Sequence, residues 1–323
     1  MGVSIVRYQQ GTHIHWGVLQ GQDILPLSVR YTHLSDLLAG GMEEIRSVQD
    51  RGAERIKLRD VTLLSPVTKP ARIICQGVNY SSHREESGMA AQRPPFNLIF
   101  SKADSALTGP YSDIICPSHV KLLDYEIELG LVIGKEITGK IEVNEENISE
   151  YVAGLVIAND ISARDIQLPQ GQWLKGKSYR TFCPTGPYLY LWDKEEAPVI
   201  HQLDLKLWVN DELRQSANTS QLLYKPAETL TELSGIMDLS AGDLLLTGTP
   251  GGVAQKLTPE VSEQMMNPFL DGRKKMEIFI ESQLGNDRFL KHHDVVRCEI
   301  KSADGKIDLG VQINKVLFES QNA

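Results

Sequence analysis

The stretch Asp124-Tyr125-Glu126-Ile127-Glu128-Leu129, followed directly by Gly130-Leu131-Val132-Ile133-Gly134, constrains this chain more than any other. On a strand of period two, Asp124, Glu126 and Glu128 point to one face. Three anions on one face repel each other, and two arrangements tolerate them. Either the face is open to water, the usual place for carboxylates, or a cation sits among them. An all-oxygen donor set without His or Cys suits Mg2+, Mn2+ or Ca2+. The flank bears on the choice: residues 130–134 form an unbroken apolar run, the texture of a strand covered on both faces. Carboxylates leading into such a strand need compensation.

Other polar clusters also follow apolar runs. Asn159-Asp160, after Ile157-Ala158, reads as a turn or helix cap, or as a ligand site mounted at a strand end. In Asn79-Tyr80-Ser81-Ser82-His83-Arg84-Glu85-Glu86, a short helix places His83 and Glu86 at i and i+3. There the carboxylate could orient the imidazole as a general base, and the same spacing suits a surface helix capped by Ser81 or Ser82. Lys177 reads as a solvated loop residue or as a cation for a substrate carboxylate or enolate. Thr247-Gly248-Thr249-Pro250-Gly251-Gly252 reads as a tight turn or as a nest of backbone N–H groups for an anion. His292 and His293 are adjacent, so on a strand they face opposite ways, against a metal pair.

The 323 residues allow roughly two domains. Residues 1–65 alternate apolar and polar positions around a helical spacing over 33–55, and Pro66 and Pro70 mark a linker. This predicts a small N-terminal α+β domain over 1–68 and a mainly β domain over 69–323. In the latter, Asn210-Asp211 joins a two-residue hairpin and a helix covers 226–236. Residues 254–287 are polar and irregular in pattern, an insertion between core strands. A net charge of −9 and a pI near 5.4 argue against a nucleic-acid partner. The absence of a signal-like h-region or a long apolar run predicts a cytoplasmic protein with no membrane partner. Cys75, Cys116, Cys183 and Cys298 show no paired spacing, as expected of reduced, buried thiols.

In order, GVNYSSHREE, DYEIELGLVIGK, VIANDISARDIQ, GKSYRTFCPTGP and DLLLTGTPGGV resemble the fumarylacetoacetate hydrolase family over residues of about 70 to 253. The likeness resumes at Phe289-Leu290-Lys291 and Asp294-Val295-Val296, where His292-His293 replaces the family's usual Pro-Gly. The resemblance implies a mainly β (α+β) fold, a mixed β-roll or β-sandwich core with short helices behind a small N-terminal β domain, and a homodimer. It implies that Glu126, Glu128 and Asp160 hold one Mg2+ or Mn2+ that chelates the 2-oxo-carboxylate end of a small oxo or dioxo acid, with no organic cofactor. It further implies that His83, polarised by Glu86 on a lid-like segment, activates water, that Lys177 holds the enolate, and that Arg164, Gln167 and Thr249 contact substrate.

Because the His83/Glu86 pair accompanies the full acidic triad, the expected activity is hydrolysis of a C–C bond in an acylpyruvate or other 2,4-dioxo acid, fumarylpyruvate- or fumarylacetoacetate-like, via a metal-bound enolate. The same enolate serves an oxaloacetate-type decarboxylase or an isomerase of a dienoate from aromatic catabolism. A non-catalytic metal- or carboxylate-binding module is the alternative of another class.

Overall fold

The apolar run at residues 130–134 lies in the middle of an eleven-stranded sheet in the computed structural model, which describes residues 2–48 and 55–320. Across the sheet the strands run Ile56–Lys57, Asp23–Pro26, His13–Gln20, Val3–Gln10, Leu189–Leu191, Val152–Asn159, Ile127–Ile133, Leu244–Leu246, Ile73–Gly77 and Leu98–Lys102. Thr62–Leu64 pairs with Val3–Gln10 beside that path. Every residue of Ile127–Ile133 is buried, between Val152–Asn159 and Leu244–Leu246, both antiparallel to it. Both of its edges are therefore hydrogen-bonded and both faces covered, as its lack of polar alternation requires. Val3–Gln10 pairs with Leu189–Leu191, so the sheet continues from the N-terminal segment into the strands that carry the acidic residues.

A second sheet of five strands, Glu212–Asn218, Leu203–Val209, Val295–Ser302, Asp308–Phe318 and Ile114–Cys116, packs against the first. Leu203–Val209 alternates buried and half-buried positions, one side on the core. The Asn210-Asp211 hairpin forms as read, with φ of 48° and 68°, the two positive values a type I′ turn demands. His293, where the resemblance places glycine, also takes a positive φ, 75°.

The predicted helix at 226–236 is observed as Pro226–Ser234, with Pro in its first turn and Gly235 after it. The helical spacing at 33–55 becomes two short helices, Leu34–Gly40 and Met42–Ser47, and residues 49–54 lie outside the described residues. The irregular reading of 254–287 is corrected. The segment contains two helices, Pro259–Met266 and Gly272–Ser282, whose first-turn N–H groups donate to the side chains of Thr258 and Asp271. Its polar texture reflects helices that bury only a narrow stripe, Ser262 and Met265 on one and Lys275 and Phe279 on the other. Gly272–Ser282 packs on the helix Arg164–Gln170. The fold is α+β with several sheets, as expected. All four cysteines are free and buried. Among the described residues no helix is long and apolar enough to cross a membrane.

Candidate active site

Glu126 and Glu128 sit at the mouth of the strand Ile127–Ile133, and Asp160 directly follows its neighbour Val152–Asn159. The Asp160 N–H donates to the Glu126 carbonyl at 2.8 Å, and the Glu126 N–H donates to the Asn159 side chain at 2.9 Å. These bonds draw the three buried carboxylates together, with one oxygen of each within 4.8 Å of the others. Asp124 does not join them, which corrects the reading of three carboxylates on one strand face. It belongs to a separate two-residue strand, Leu123–Asp124, paired with Ser162–Ala163, so the period-two argument stops before it. Its carboxylate accepts from Arg164 Nε at 2.9 Å and from the N–H groups of Tyr125, Ala254 and Gln255 at 2.8, 2.8 and 3.0 Å.

Three buried cations answer these acids. Lys177 Nζ donates to Glu126 Oε2 and Asp160 Oδ2, each at 2.6 Å. Arg164 Nη2 donates to Glu126 Oε1 at 2.5 Å, and Lys102 Nζ donates to Asp160 Oδ1 and, at 3.1 Å, to the Ile161 carbonyl. Burial alone would raise the Glu126 carboxyl, but Arg164 and Lys177 outweigh it and hold Glu126 well below the ordinary range. Burial would lower Lys177, and Asp160 and Glu126 outweigh that, raising it. Glu128 differs. Among the described residues it has no ion-pair partner, and it accepts from the Gly248 N–H at 2.6 Å. Burial, reinforced by the charges of Asp160 and Glu126, pushes its pKa well above the usual value. Four carboxylates thus face three cations, and the uncompensated one lies inside a cage of hard oxygen donors. That donor chemistry fits a hard divalent cation.

His83 and Glu86 share the helix Ser81–Glu86. His83 Nε2 lies 3.9 Å from Glu126 Oε1, while its buried Nδ1 has no hydrogen-bond partner among the described residues. Burial lowers the imidazole to about 4, against the opposing pull of Glu126, so it is neutral at pH 7. The expected orienting bond from Glu86 is not made. Glu86 Oε2 instead accepts from the Gly252 N–H at 2.7 Å, and burial raises its pKa against that bond. The loop read as an anion nest spends its N–H groups on the chain's own acceptors: Gly248 on Glu128, Gly251 on Ser82 Oγ at 3.0 Å, and Gly252 on Glu86. Only glycine serves at two of these positions. Gly248 has φ +92° and Gly252 φ +105°, and a Cβ on Gly252 would stand 1.9 Å from the Arg214 carbonyl oxygen.

Thr249 Oγ1 donates to the Ile127 carbonyl at 2.9 Å and accepts from Gln215 Nε2 at 2.8 Å. Gln167 Oε1 accepts from Arg164 Nη1 at 2.9 Å. Of the nine residues singled out in the sequence, all but Glu86 and Asp160 line one cavity of about 670 Å3. Lys102 was missed by sequence reasoning. No local pattern marks it: it reaches Asp160 because the strand Leu98–Lys102 pairs with Ile73–Gly77 at the edge of the large sheet.

Residues 72–317 match the family described as fumarylacetoacetate (FAA) hydrolase C-terminal. The chain is 40% identical over 258 residues to a mitochondrial oxaloacetate tautomerase of Rattus norvegicus, covering 80% of this chain and 70% of that protein. Among solved structures it is similar to a fumarylacetoacetate hydrolase of Exiguobacterium antarcticum, with a TM-score of 0.74, 28% identity and coverage of 98% of this chain and 100% of that one. It is also similar to a maleylpyruvate hydrolase of Sphingobium sp. SYK-6 in complex with manganese(II) and pyruvate, with a TM-score of 0.70, 26% identity and coverage of 99% and 100%. With the family profile spanning most of its length and an acidic triad at the mouth of the central strands, the chain belongs to the fumarylacetoacetate hydrolase family.

Proposed function

We propose that this protein is a divalent-metal-dependent enzyme that moves a proton at C3 of a 2-oxo acid, with oxaloacetate keto–enol interconversion as its reaction. The observation that carries this reading is the placement of His83: a buried, neutral imidazole beside the carboxylate cluster, with Glu86 held away from it by Gly252. A Mg2+ or Mn2+ held by Glu126, Glu128 and Asp160 supplies a Lewis acid for the 2-oxo-carboxylate end of the substrate. His83 Nε2, neutral and inside the cavity, accepts the C3 proton of the keto form and delivers it to the C2 oxygen to give the enol, the reverse transfer restoring the keto form, so the reaction needs no other reactant. Lys177 and Arg164 place fixed positive charge where the C2 oxygen gains negative charge. Burial of the triad excludes water and strengthens these interactions. The tautomerase name of the rat relative supports the same reading.

Cavity volume favours a second reading. About 670 Å3 is the size of a pocket for a drug-sized ligand, and a longer 2,4-dioxo acid would fill more of it than oxaloacetate. In that case water adds to the C4 carbonyl, the C3–C4 bond breaks, and a carboxylic acid and pyruvate leave. The test is one panel on protein stripped by a chelator and reloaded with Mn2+. Enol-oxaloacetate is followed by ultraviolet absorbance, pyruvate and CO2 are assayed in parallel, and acetylpyruvate and fumarylpyruvate are included. Metal-dependent loss of the enol without CO2 supports the tautomerase. Pyruvate with a carboxylic acid from the dioxo acids supports the hydrolase, stoichiometric CO2 from oxaloacetate supports a decarboxylase, and metal-independent rates overturn all three.

A further inference from the structure

Lys275 is a buried cation that the chemistry above does not use. It lies on Gly272–Ser282, the second helix of the 254–287 insertion, and is 9% exposed. Its ammonium has three protons to donate, and one goes to the Met265 carbonyl at 2.8 Å. Among the described residues no carboxylate comes within ion-pair distance of it, although Glu277 of its own helix pairs with Lys274. Lysines are almost never buried without a partner, yet this one lines the same cavity as His83, Glu126 and Lys177. Apolar side chains line part of the cavity beside polar ones such as Gln76 and Gln255: Phe100 and Trp173 meet edge to face at 5.0 Å, and Met265 and Leu257 come from the insertion.

We propose that Lys275 is the anchor of a second anion subsite, and that the site prefers 2-oxo acids carrying a distal carboxylate beyond an apolar spacer. This rests on the reading that the carboxylate cluster takes the 2-oxo end. The two ammonium donors without a partner among the described residues supply charge-assisted hydrogen bonds to the far carboxylate, the Met265 carbonyl fixes the direction of the side chain, and the aromatic and thioether side chains cover the methylenes between. Because the anchor comes from the insertion, the length of the preferred acid is set by a segment outside the core strands.

Binding isotherms with Mn2+-loaded protein test this without turnover. The probes are matched pairs differing only in the distal group: 2-oxoglutarate with 2-oxopentanoate, 2-oxoadipate with 2-oxohexanoate, and 2-oxopimelate with 2-oxoheptanoate. The expected result is that at least one dioic acid binds roughly ten- to a hundredfold more tightly than its partner, the range of a charge-assisted bond. That preference collapses in Lys275→Met and returns in part in Lys275→Arg. No preference in the wild type, or one that survives Lys275→Met, overturns the subsite. Failure of every 2-oxo acid to bind overturns the underlying reading of the cluster and the subsite with it. Thermal unfolding of both variants checks that the fold is retained, and Lys275→Gln, which also removes the charge, takes the place of the Met variant if that one does not fold.

Discussion

Arg164 Nε donates to Asp124 Oδ2 at 2.9 Å, both side chains fully enclosed. Asp124 thereby ties the helix Arg164–Gln170 to the start of the insertion, whose Ala254 and Gln255 N–H groups it also accepts. The carboxylate that sequence periodicity would place among metal ligands is instead the joint holding the cavity wall.

Asp124→Ala leaves a buried guanidinium short of one partner and the N–H groups of Tyr125, Ala254 and Gln255 without that acceptor. Removing one member of a buried pair costs about 3–5 kcal/mol, so the urea midpoint drops accordingly. A change below about 1 kcal/mol would show that the joint carries no such strain.

Glu128→Gln separates metal binding from folding. Of the four carboxylates at the site, Glu128 is the one with no ion-pair partner among the described residues, its pKa raised by burial and by Asp160 and Glu126. The metal-free variant is therefore expected to melt above the metal-free wild type. Wild type gains about 3 kcal/mol from Mn2+ at a hundred times its dissociation constant, and the variant loses most of that gain. Equal stabilisation of both proteins by Mn2+ would remove Glu128 from the ligand set.

His83→Ala is expected to lower the rate of enol-oxaloacetate conversion by about 10²- to 10⁴-fold, the usual worth of a positioned acid–base group, while Mn2+ still raises the melting temperature. Glu126→Ala is expected to lose both responses, because Glu126 belongs to the triad and accepts from Lys177 and Arg164. Undiminished conversion by His83→Ala would assign the proton transfer elsewhere.

Glu86 carries a pH signature. Burial raises its pKa against the Gly252 bond, so the fold holds this proton more tightly than the unfolded chain does. Its stabilising contribution is then complete below the ordinary glutamate pKa and is lost as pH rises through the raised one. Glu86→Gln abolishes the titration while its amide oxygen still accepts from Gly252. Calorimetry at pH about 4.5 and about 7.5 is expected to show the variant gaining on wild type at the higher pH. The gain is modest, because the group is partly exposed. A larger gain at the lower pH would contradict the direction of the shift.

Local features were legible in the sequence wherever local physics decides them. Two positive-φ residues specify the Asn210-Asp211 turn, proline and glycine bracket Pro226–Ser234, and the unbroken apolar run marks Ile127–Ile133 as interior. Motif order also led to Glu126, Glu128 and Asp160, which the structure places within 4.8 Å of one another. Tertiary structure decided what depends on partners distant along the chain. Lys102 reaches Asp160 across 58 positions, Gly252 takes Glu86 across 166, and Asp124 leaves the acidic face for Arg164 and Ala254. Residues 254–287 read as irregular because their helices bury only narrow stripes, and Lys275 becomes distinctive only once the fold encloses it. A charge pattern states which groups need compensation, and in a buried, low-dielectric site the compensating group is whichever one the packed fold brings within hydrogen-bond reach.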